Sequence, residues 1–498
     1  RAIPRRSSAR LGVEPKPMTF DEPSTNIGAH ARLVSNLVAS LRHEGLPGSD
    51  GAGVEVIETH ISWVVLAGAL AYKIKKPLDL GFLDFRTLAQ RRHFCNEEIR
   101  LNVRLAPAVY LDVVPITGTA EAPRIGGDGV AIEYAVRMRR FSQAQLFDRL
   151  LDRGELTPHH VDELALRVAT FHNATEVAHA GGPHGRTDRI RELALVNVDA
   201  VQAAVRGTLH DELSTIRSWI DHECDRLATV FRARVDDGMV RECHGDLHLA
   251  NIALVDGAVT VFDCIEFNEA MRWIDVLSEV AFTVMDLEDR SHGPLAYRYL
   301  NAYLEITGDY SGLQVLPFYL AYRAMVRAKI AALRLSQLGD GEAARAQQST
   351  CAGYVALAVR YCTRRAPGIV AMHGLSGSGK STLAAYLAEH LPGIRVRTDV
   401  ERRRFRARGG APPYSDAEST AVYERVAIAL SGALDAGLTP IADGAFLERR
   451  RRAEVRELAA RRERPLVIVS TVAPETVLRT RITDRLAHHQ DPSEADLA

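Results

Sequence analysis

The sequence predicts an α+β domain followed by an α/β domain with a parallel sheet. Three observations predict it. Short strand-like runs around one helix open the chain and give way to a long helix-rich stretch. After Ala366, Pro367 and Gly368 the pattern changes to short apolar strands alternating with helices. The first of those later strands runs directly into a complete G-x-x-x-x-G-K-[ST] loop. The expected boundaries are a poorly ordered tail over 1–26, a first domain over 27–338, a linker or helix over 339–366 and a second domain over 367–498.

Length supports the division, because 498 residues exceed what one ordinary core encloses. Hydrophobic residues make up 46% and charged residues 25%, within the range of soluble globular chains. A net charge of −1 gives no overall attraction to nucleic acid or acidic membrane, so neither is an expected partner. No apolar run is long enough to span a bilayer. Arg1 to Arg10 carry four arginines and no apolar core, unlike a secretory signal or anchor. Six cysteines without a CxxC pair read as free thiols in a reducing cytoplasm, and zinc is not expected. Lysine is scarce: of 62 basic side chains only Lys16, Lys73, Lys75, Lys76, Lys329 and Lys380 are lysines. A lysine retained in so arginine-rich a chain points to work for a compact ammonium.

In the first domain Leu33, Leu37 and Leu41 mark a helix, and strands are expected at 54–57, 61–66 and 70–75. Lys73 and Lys75 fall on one face of the third. A helix over 88–105 carries Glu97 and Glu98, and further strands follow at 109–116 and 130–138. A strand Lys held by a helix Glu is the phosphate-binding pair of a kinase-like small lobe, and counting back from the helix end favours Glu98. Beyond a largely helical stretch comes the run from Glu242 to Leu254. Here His244, Gly245 and Asp246 are followed five residues later by Asn251, and a β-branched run then ends at Asp263. One tight loop thereby offers Asp246 as catalytic base and Asn251 as metal ligand, with Asp263 as a second ligand for Mg²⁺. His244 reads as a loop brace, His248 as a possible substrate contact and Glu266 as an additional metal or network acid. Asp275 reads as a helix cap. Arg323 and Arg327 share a helix face, which reads as lining the substrate cleft or, as the favoured expectation, as pairing with acids such as Asp286 or Glu288.

In the second domain Gly374, Leu375, Ser376, Gly377, Ser378, Gly379, Lys380, Ser381 and Thr382 form the loop between strand and helix. Its glycines let backbone N–H groups curl around phosphate oxygens, Lys380 bridges the outer phosphates and Ser381 ligates Mg²⁺. Asp443 ends a strand and reads either as the companion metal acid or as a helix N-cap. Asp399, after the second strand, reads as general base for an acceptor hydroxyl. Arg402 reads as an anion contact or as part of a solvated basic run. Arg479, Arg481 and Arg485 read as a phosphate lid or as a basic face.

Residues from about 30 to 335 resemble the aminoglycoside phosphotransferase-like branch of the kinase-like fold. The resemblance rests on the His244–Asn251 loop, Phe262 with Asp263, Trp273 to Asp275, and the run from Ala71 to Phe85. Residues from about 367 onward resemble P-loop kinases of the gluconate kinase and zeta-toxin type. The order of the halves resembles the bacterial family of bifunctional aminoglycoside phosphotransferase-like and P-loop ATP-binding proteins, in which the chain usually runs on beyond the equivalent of Ala498. The resemblance implies two ATP sites and a small hydroxylated acceptor, namely a sugar, amino sugar or aminoglycoside-like molecule. It leaves oligomeric state open. Two alternatives stand beside this: the P-loop domain as the only active kinase with a pseudokinase partner, or a nucleotide-sensing regulator. A protein kinase is disfavoured, because the eleven residues between Asp263 and Asp275 leave no room for a peptide-docking loop.

Overall fold

The computed structural model describes residues 25–44, 53–81, 83–205, 207–338, 341–363, 365–409, 412 and 415–488. The tail expected over 1–26 lies outside these residues up to 24. The chain divides into two compact units. One contains residues through Val103, Pro107–Arg140 and Glu266–Asn268; the other contains Arg104–Ala106, Phe141–Ile265 and the chain from Glu269 onward.

Among the described residues the first unit is an antiparallel sheet with two helices. Its elements are α1 (Thr25–Glu44), β1 (Glu55–Glu58), β2 (Ser62–Ala67), β3 (Leu70–Lys75), α2 (Leu88–Asn102), β4 (Tyr110–Gly118), β5 (Pro123–Ile125) and β6 (Glu133–Arg139). The sheet order is β1-β2-β3-β6-β4-β5. Leu33, Leu37 and Leu41 of α1 are buried together with Trp63, Val65 and Ile74 of the sheet. Helix α2 begins with a capping box, in which Thr87 accepts from Gln90 N and the Gln90 side chain returns the bond.

The second unit opens with helices α3 (Phe147–Asp152), α4 (Pro158–Ala174), α5 (Thr187–Ala204) and α6 (His210–Asp236). Next come β7 (Val240–Glu242), β8 (Ile252–Val255), β9 (Ala258–Val261), α7 (Glu269–Arg272) and β10 (Trp273–Asp275). Strand β10 pairs antiparallel with β7, a ribbon the sequence pattern did not announce, because three-residue strands carry no usable periodicity. Helices α8 (Val276–Asp289), α9 (Gly293–Thr307), α10 (Leu316–Gln337) and α11 (Glu342–Cys362) follow. The stretch expected as linker or helix therefore holds α11, which lies along α10.

The remaining elements are β11 (Ile369–His373), α12 (Lys380–His390), β12 (Gly393–Arg397), α13 (Thr398–Ala407), α14 (Asp416–Asp435), β13 (Thr439–Asp443), α15 (Arg449–Arg461), β14 (Leu466–Ser470) and α16 (Glu475–His488). The four strands are parallel in the order β12-β13-β11-β14. Within this unit one apolar core is continuous. It runs from Val280 and Phe282 in α8 through Leu300 and Leu304 in α9 to Ile369, Ile394 and Val396 of the parallel sheet.

Candidate functional site

In the first unit Glu98 is wholly buried and bridges two lysines of β3. Lys73 Nζ lies 2.8 Å from its Oε1 and Lys75 Nζ 2.7 Å from its Oε2. Glu97 turns outward to Arg100 instead, at 2.9 Å. Period-2 alternation puts both lysines on one face, as the sequence led us to expect. Lys75 also pairs with Glu266 and sits 5.0 Å from the centre of the Phe85 ring. Burial alone would lower the Lys75 ammonium, but Glu266 and Glu98 outweigh it and hold the group above its ordinary value. Glu266 thus lies in a charge network with Lys75.

In the second unit the loop after β7 carries Asp246. Asn251 donates through Nδ2 to the Asp246 carboxylate and to its carbonyl oxygen, each at 3.0 Å. That orientation leaves the Asn251 amide oxygen as the atom offered to a cation. Asp263 lies just beyond β9 with φ of 66°, a left-handed backbone that is uncommon for any residue but glycine. Burial pushes the Asp246 carboxyl up, but His248 beside it, by charge and hydrogen bond, holds it well below the usual carboxylate range. It is therefore ionised and accepts hydrogen bonds at neutral pH. His244 receives the Asp246 N–H at Nδ1, at 3.3 Å, and donates from Nε2 to Phe262 O at 2.8 Å. Burial lowers its pKa, which suits a neutral bracing imidazole.

The loop is gripped mainly from α8. Glu279 accepts from His244 N at 3.1 Å and Gly245 N at 2.6 Å. Thr283 donates to Leu247 O at 2.9 Å, and Asp286 accepts from Leu249 N at 2.8 Å. Positions 279, 283 and 286 share one helical face. Sequence reasoning read this helix as apolar and missed the three grips. The available signal was polar residues spaced by four and three in an otherwise apolar run. Arg323 of α10 adds a bond to Gly245 O at 3.0 Å and another to Ser278 O at 3.0 Å. Its expected acidic partner is thus replaced by backbone carbonyls, and Arg327 lies 3.4 Å from the Tyr354 hydroxyl. Glu279 is itself 3.0 Å from His172 Nε2, while His172 Nδ1 lies 2.9 Å from the Tyr303 hydroxyl. Asp275 caps α8 through Leu277 N and pairs with Arg234. His248 lies 3.4 Å from Asp246 Oδ2 and packs edge-on against Phe282.

Gly245 has φ of 90°, and a Cβ there would meet Met271 O at 2.7 Å. The 269–275 segment therefore lies against the loop. That segment also lines a cavity of about 530 Å³, with His184, Trp273 and Tyr322 among its walls. His184 stacks on Trp273 at 5.0 Å.

The P-loop runs from β11 into α12. Gly374 has φ of 149°, and a Cβ there would stand 2.5 Å from Thr471 O. Ser378 Oγ lies 2.7 Å from Thr471 Oγ1, and Lys380 Nζ donates to Leu375 O at 3.3 Å. Ser381 donates to Asp443 Oδ1 at 3.0 Å, so the two residues expected to hold Mg²⁺ here are neighbours. Burial raises the Asp443 carboxyl, and Arg395 and Arg397 oppose that rise. Its Oδ2 is buried and accepts no hydrogen bond. A hydroxyl and a carboxylate with a buried oxygen that accepts no hydrogen bond form the hard donor set that suits Mg²⁺. Asp399 stands in the first turn of α13, where the preceding Thr398 donates to Asp443 O at 3.4 Å. Arg402 pairs with Glu418 at 2.7 Å, which favours its structural reading. Arg481 donates to Gly377 O at 3.0 Å, while Arg479 pairs with Glu475 on its own helix. The Arg485 side chain lies outside the description.

An uncharacterized protein of Mycobacterium tuberculosis, Rv2004c, is 31% identical to this chain over 455 residues, spanning 89% of each. An uncharacterized protein of Mycobacterium bovis, Mb2027c, matches to the same extent. The chain belongs to their family. In this family member the P-loop domain follows the helix-rich part of the chain. Residues 369–498 match the family model described as an AAA domain. Among solved structures, the choline kinase of Cryptosporidium parvum is similar at 10% identity and a TM-score of 0.41, over 64% of this chain and 94% of that one. A gluconokinase of Sinorhizobium meliloti is similar at 26% identity and a TM-score of 0.20, over 25% of this chain and 69% of that one. Among the described residues no helix is long and apolar enough to cross a membrane.

Proposed function

We propose that this family member is an ATP- and Mg²⁺-dependent phosphotransferase that acts on a hydroxyl of a small molecule, with a second ATP site at the P-loop. The observation that carries the reading is the gripped loop, which presents ionised Asp246 hydrogen-bonded to Asn251 at 3.0 Å. Lys73, fixed by Glu98, binds the α- and β-phosphates of ATP. Asn251 and Asp263 would hold Mg²⁺, as would Ser381 and Asp443 at the P-loop. Bound there, the ion neutralises the charge of the transferring phosphoryl group. Asp246 accepts a hydrogen bond from the acceptor hydroxyl, aligns its oxygen with the γ-phosphorus and takes the proton as the new P–O bond forms and the bond from the γ-phosphorus to the departing ADP breaks. With so low a proton affinity, alignment is its larger contribution. The cavity beside the loop has the volume of a small-molecule site, and its aromatic walls suit the C–H face of a sugar ring. At the P-loop, Lys380 contacts the outer phosphates and Asp399 serves as base for a second hydroxyl.

ATP consumption by the full chain, measured against sugars, amino sugars and aminoglycosides, tests the reading. Asp246→Ala is expected to abolish acceptor-dependent turnover, and Lys380→Ala to remove nucleotide binding at the P-loop. Turnover that survives Asp246→Ala but vanishes with Lys380→Ala would transfer the chemistry to the P-loop domain.

A further inference from the structure

Helix α9 precedes the P-loop domain by more than sixty residues, yet one of its faces is built into that domain. Arg298, Asn301 and Glu305 are spaced by three and four and so line up on that face. Arg298 pairs with Glu389 of α12 at 2.8 Å. Asn301 matches the backbone of β12, donating to Gly393 O at 2.8 Å and accepting from Arg395 N at 2.7 Å. Glu305 divides its carboxylate between two guanidinium groups, with Oε2 2.9 Å from Arg395 and Oε1 2.8 Å from Arg397. Both arginines lie at the P-loop site. Arg395 donates to Ser381 O at 3.4 Å, and Arg397 Nε stands 3.8 Å from Asp443 Oδ2.

Arg397 therefore lies between two carboxylates, nearer to Glu305 than to Asp443. A guanidinium that closed on Asp443 Oδ2 would form a charge-assisted bond with the very oxygen a cation needs. We propose that Glu305, contributed by the kinase-like part, is a positioning residue of the P-loop site: it holds Arg395 and Arg397 back and so keeps Asp443 available to Mg²⁺-nucleotide. The P-loop domain is then incomplete without α9. The inference rests on the P-loop reading of the preceding section.

The test is binding of a fluorescent ATP analogue to the full chain as Mg²⁺ is varied. The component lost in Lys380→Ala reports the P-loop site. Glu305→Gln is expected to raise the Mg²⁺ concentration for half-maximal binding of that component by about tenfold, within the coupling range of neighbouring charged groups. Adding Arg397→Gln to Glu305→Gln is expected to bring it back to within about twofold of the parent, because the competing cation is gone. Loosened packing would not be rescued by a second substitution. Asn301→Ala loosens the same contact without changing charge, and is expected to leave the Mg²⁺ dependence unchanged. An unshifted Mg²⁺ dependence in Glu305→Gln overturns the proposal, as does a shift that Arg397→Gln fails to reverse. If Lys380→Ala removes no binding component, the P-loop reading itself falls.

Discussion

The loops at Asp246 and at Lys380 are held in shape by opposite means. The loop at Asp246 takes its form from outside: Glu279, Thr283 and Asp286 of one helix and Arg323 of another bond its backbone groups. The loop at Lys380 takes its form largely from within, through glycines in conformations that other residues avoid, with Ser378 against Thr471 as a lateral tie. A loop gripped by side chains depends on distant positions, whereas a glycine-shaped loop carries its instructions in one contiguous motif. Substitutions that strike the grips should therefore separate the two sites.

The largest effect is expected at Glu279. Its alanine variant strands two buried N–H groups and His172, so a loss of about 3–5 kcal/mol in unfolding free energy is expected. Denaturant titration measures it. Acceptor-dependent turnover should disappear even in protein that remains folded at low temperature. Gly374→Ala and Gly245→Ala come next, and each should strike one site only. Gly374→Ala forces a Cβ against Thr471 O and should weaken nucleotide binding at the P-loop by at least about tenfold, while first-site turnover persists. Gly245→Ala should do the reverse, as parallel binding and turnover assays would show.

A pH profile sharpens the contrast further. Burial pushes the Glu279 carboxyl up, but the hydrogen bond from His172, its charge and the Gly245 N–H hold it down to about 2. A carboxyl depressed in the folded state contributes stability that is complete above its unfolded value and is lost as pH falls toward the folded one. Stability should therefore decline between roughly pH 4.5 and pH 2, and Glu279→Gln should flatten that decline in acid-unfolding curves. The smallest effect is expected at Glu97, whose pairing with Arg100 is partly exposed. Glu97→Ala should change stability by less than about 0.5 kcal/mol in the same titration, whereas Glu98→Ala should be far more costly because it removes a buried carboxylate from between two buried lysines.

That contrast also accounts for what the sequence made legible. The P-loop was readable because Gly374 to Ser381 specify backbone shape residue by residue. The contact of Asp246 with Asn251 was readable through spacing, and that of Glu98 with Lys73 through its place on a helix behind the lysine strand. The grips were not readable, since Glu279 and Arg323 act on a loop more than thirty residues away through contacts that only tertiary packing creates. Likewise nothing in the pattern announced how α9 meets β12. Asn301 and Glu305 look like ordinary helix surface until the partner strand, some ninety residues later, is in place.

The apolar core that runs from α8 and α9 into the parallel sheet has a consequence for how the chain can be divided. Severing it before Ile369 would expose Ile394, Val396 and the matching face of α9 to water. Fragments cut there should be sticky and short-lived, and a protease acting on the native chain should release no durable P-loop piece. The parallel sheet and the helices before it are thus expected to unfold as one object.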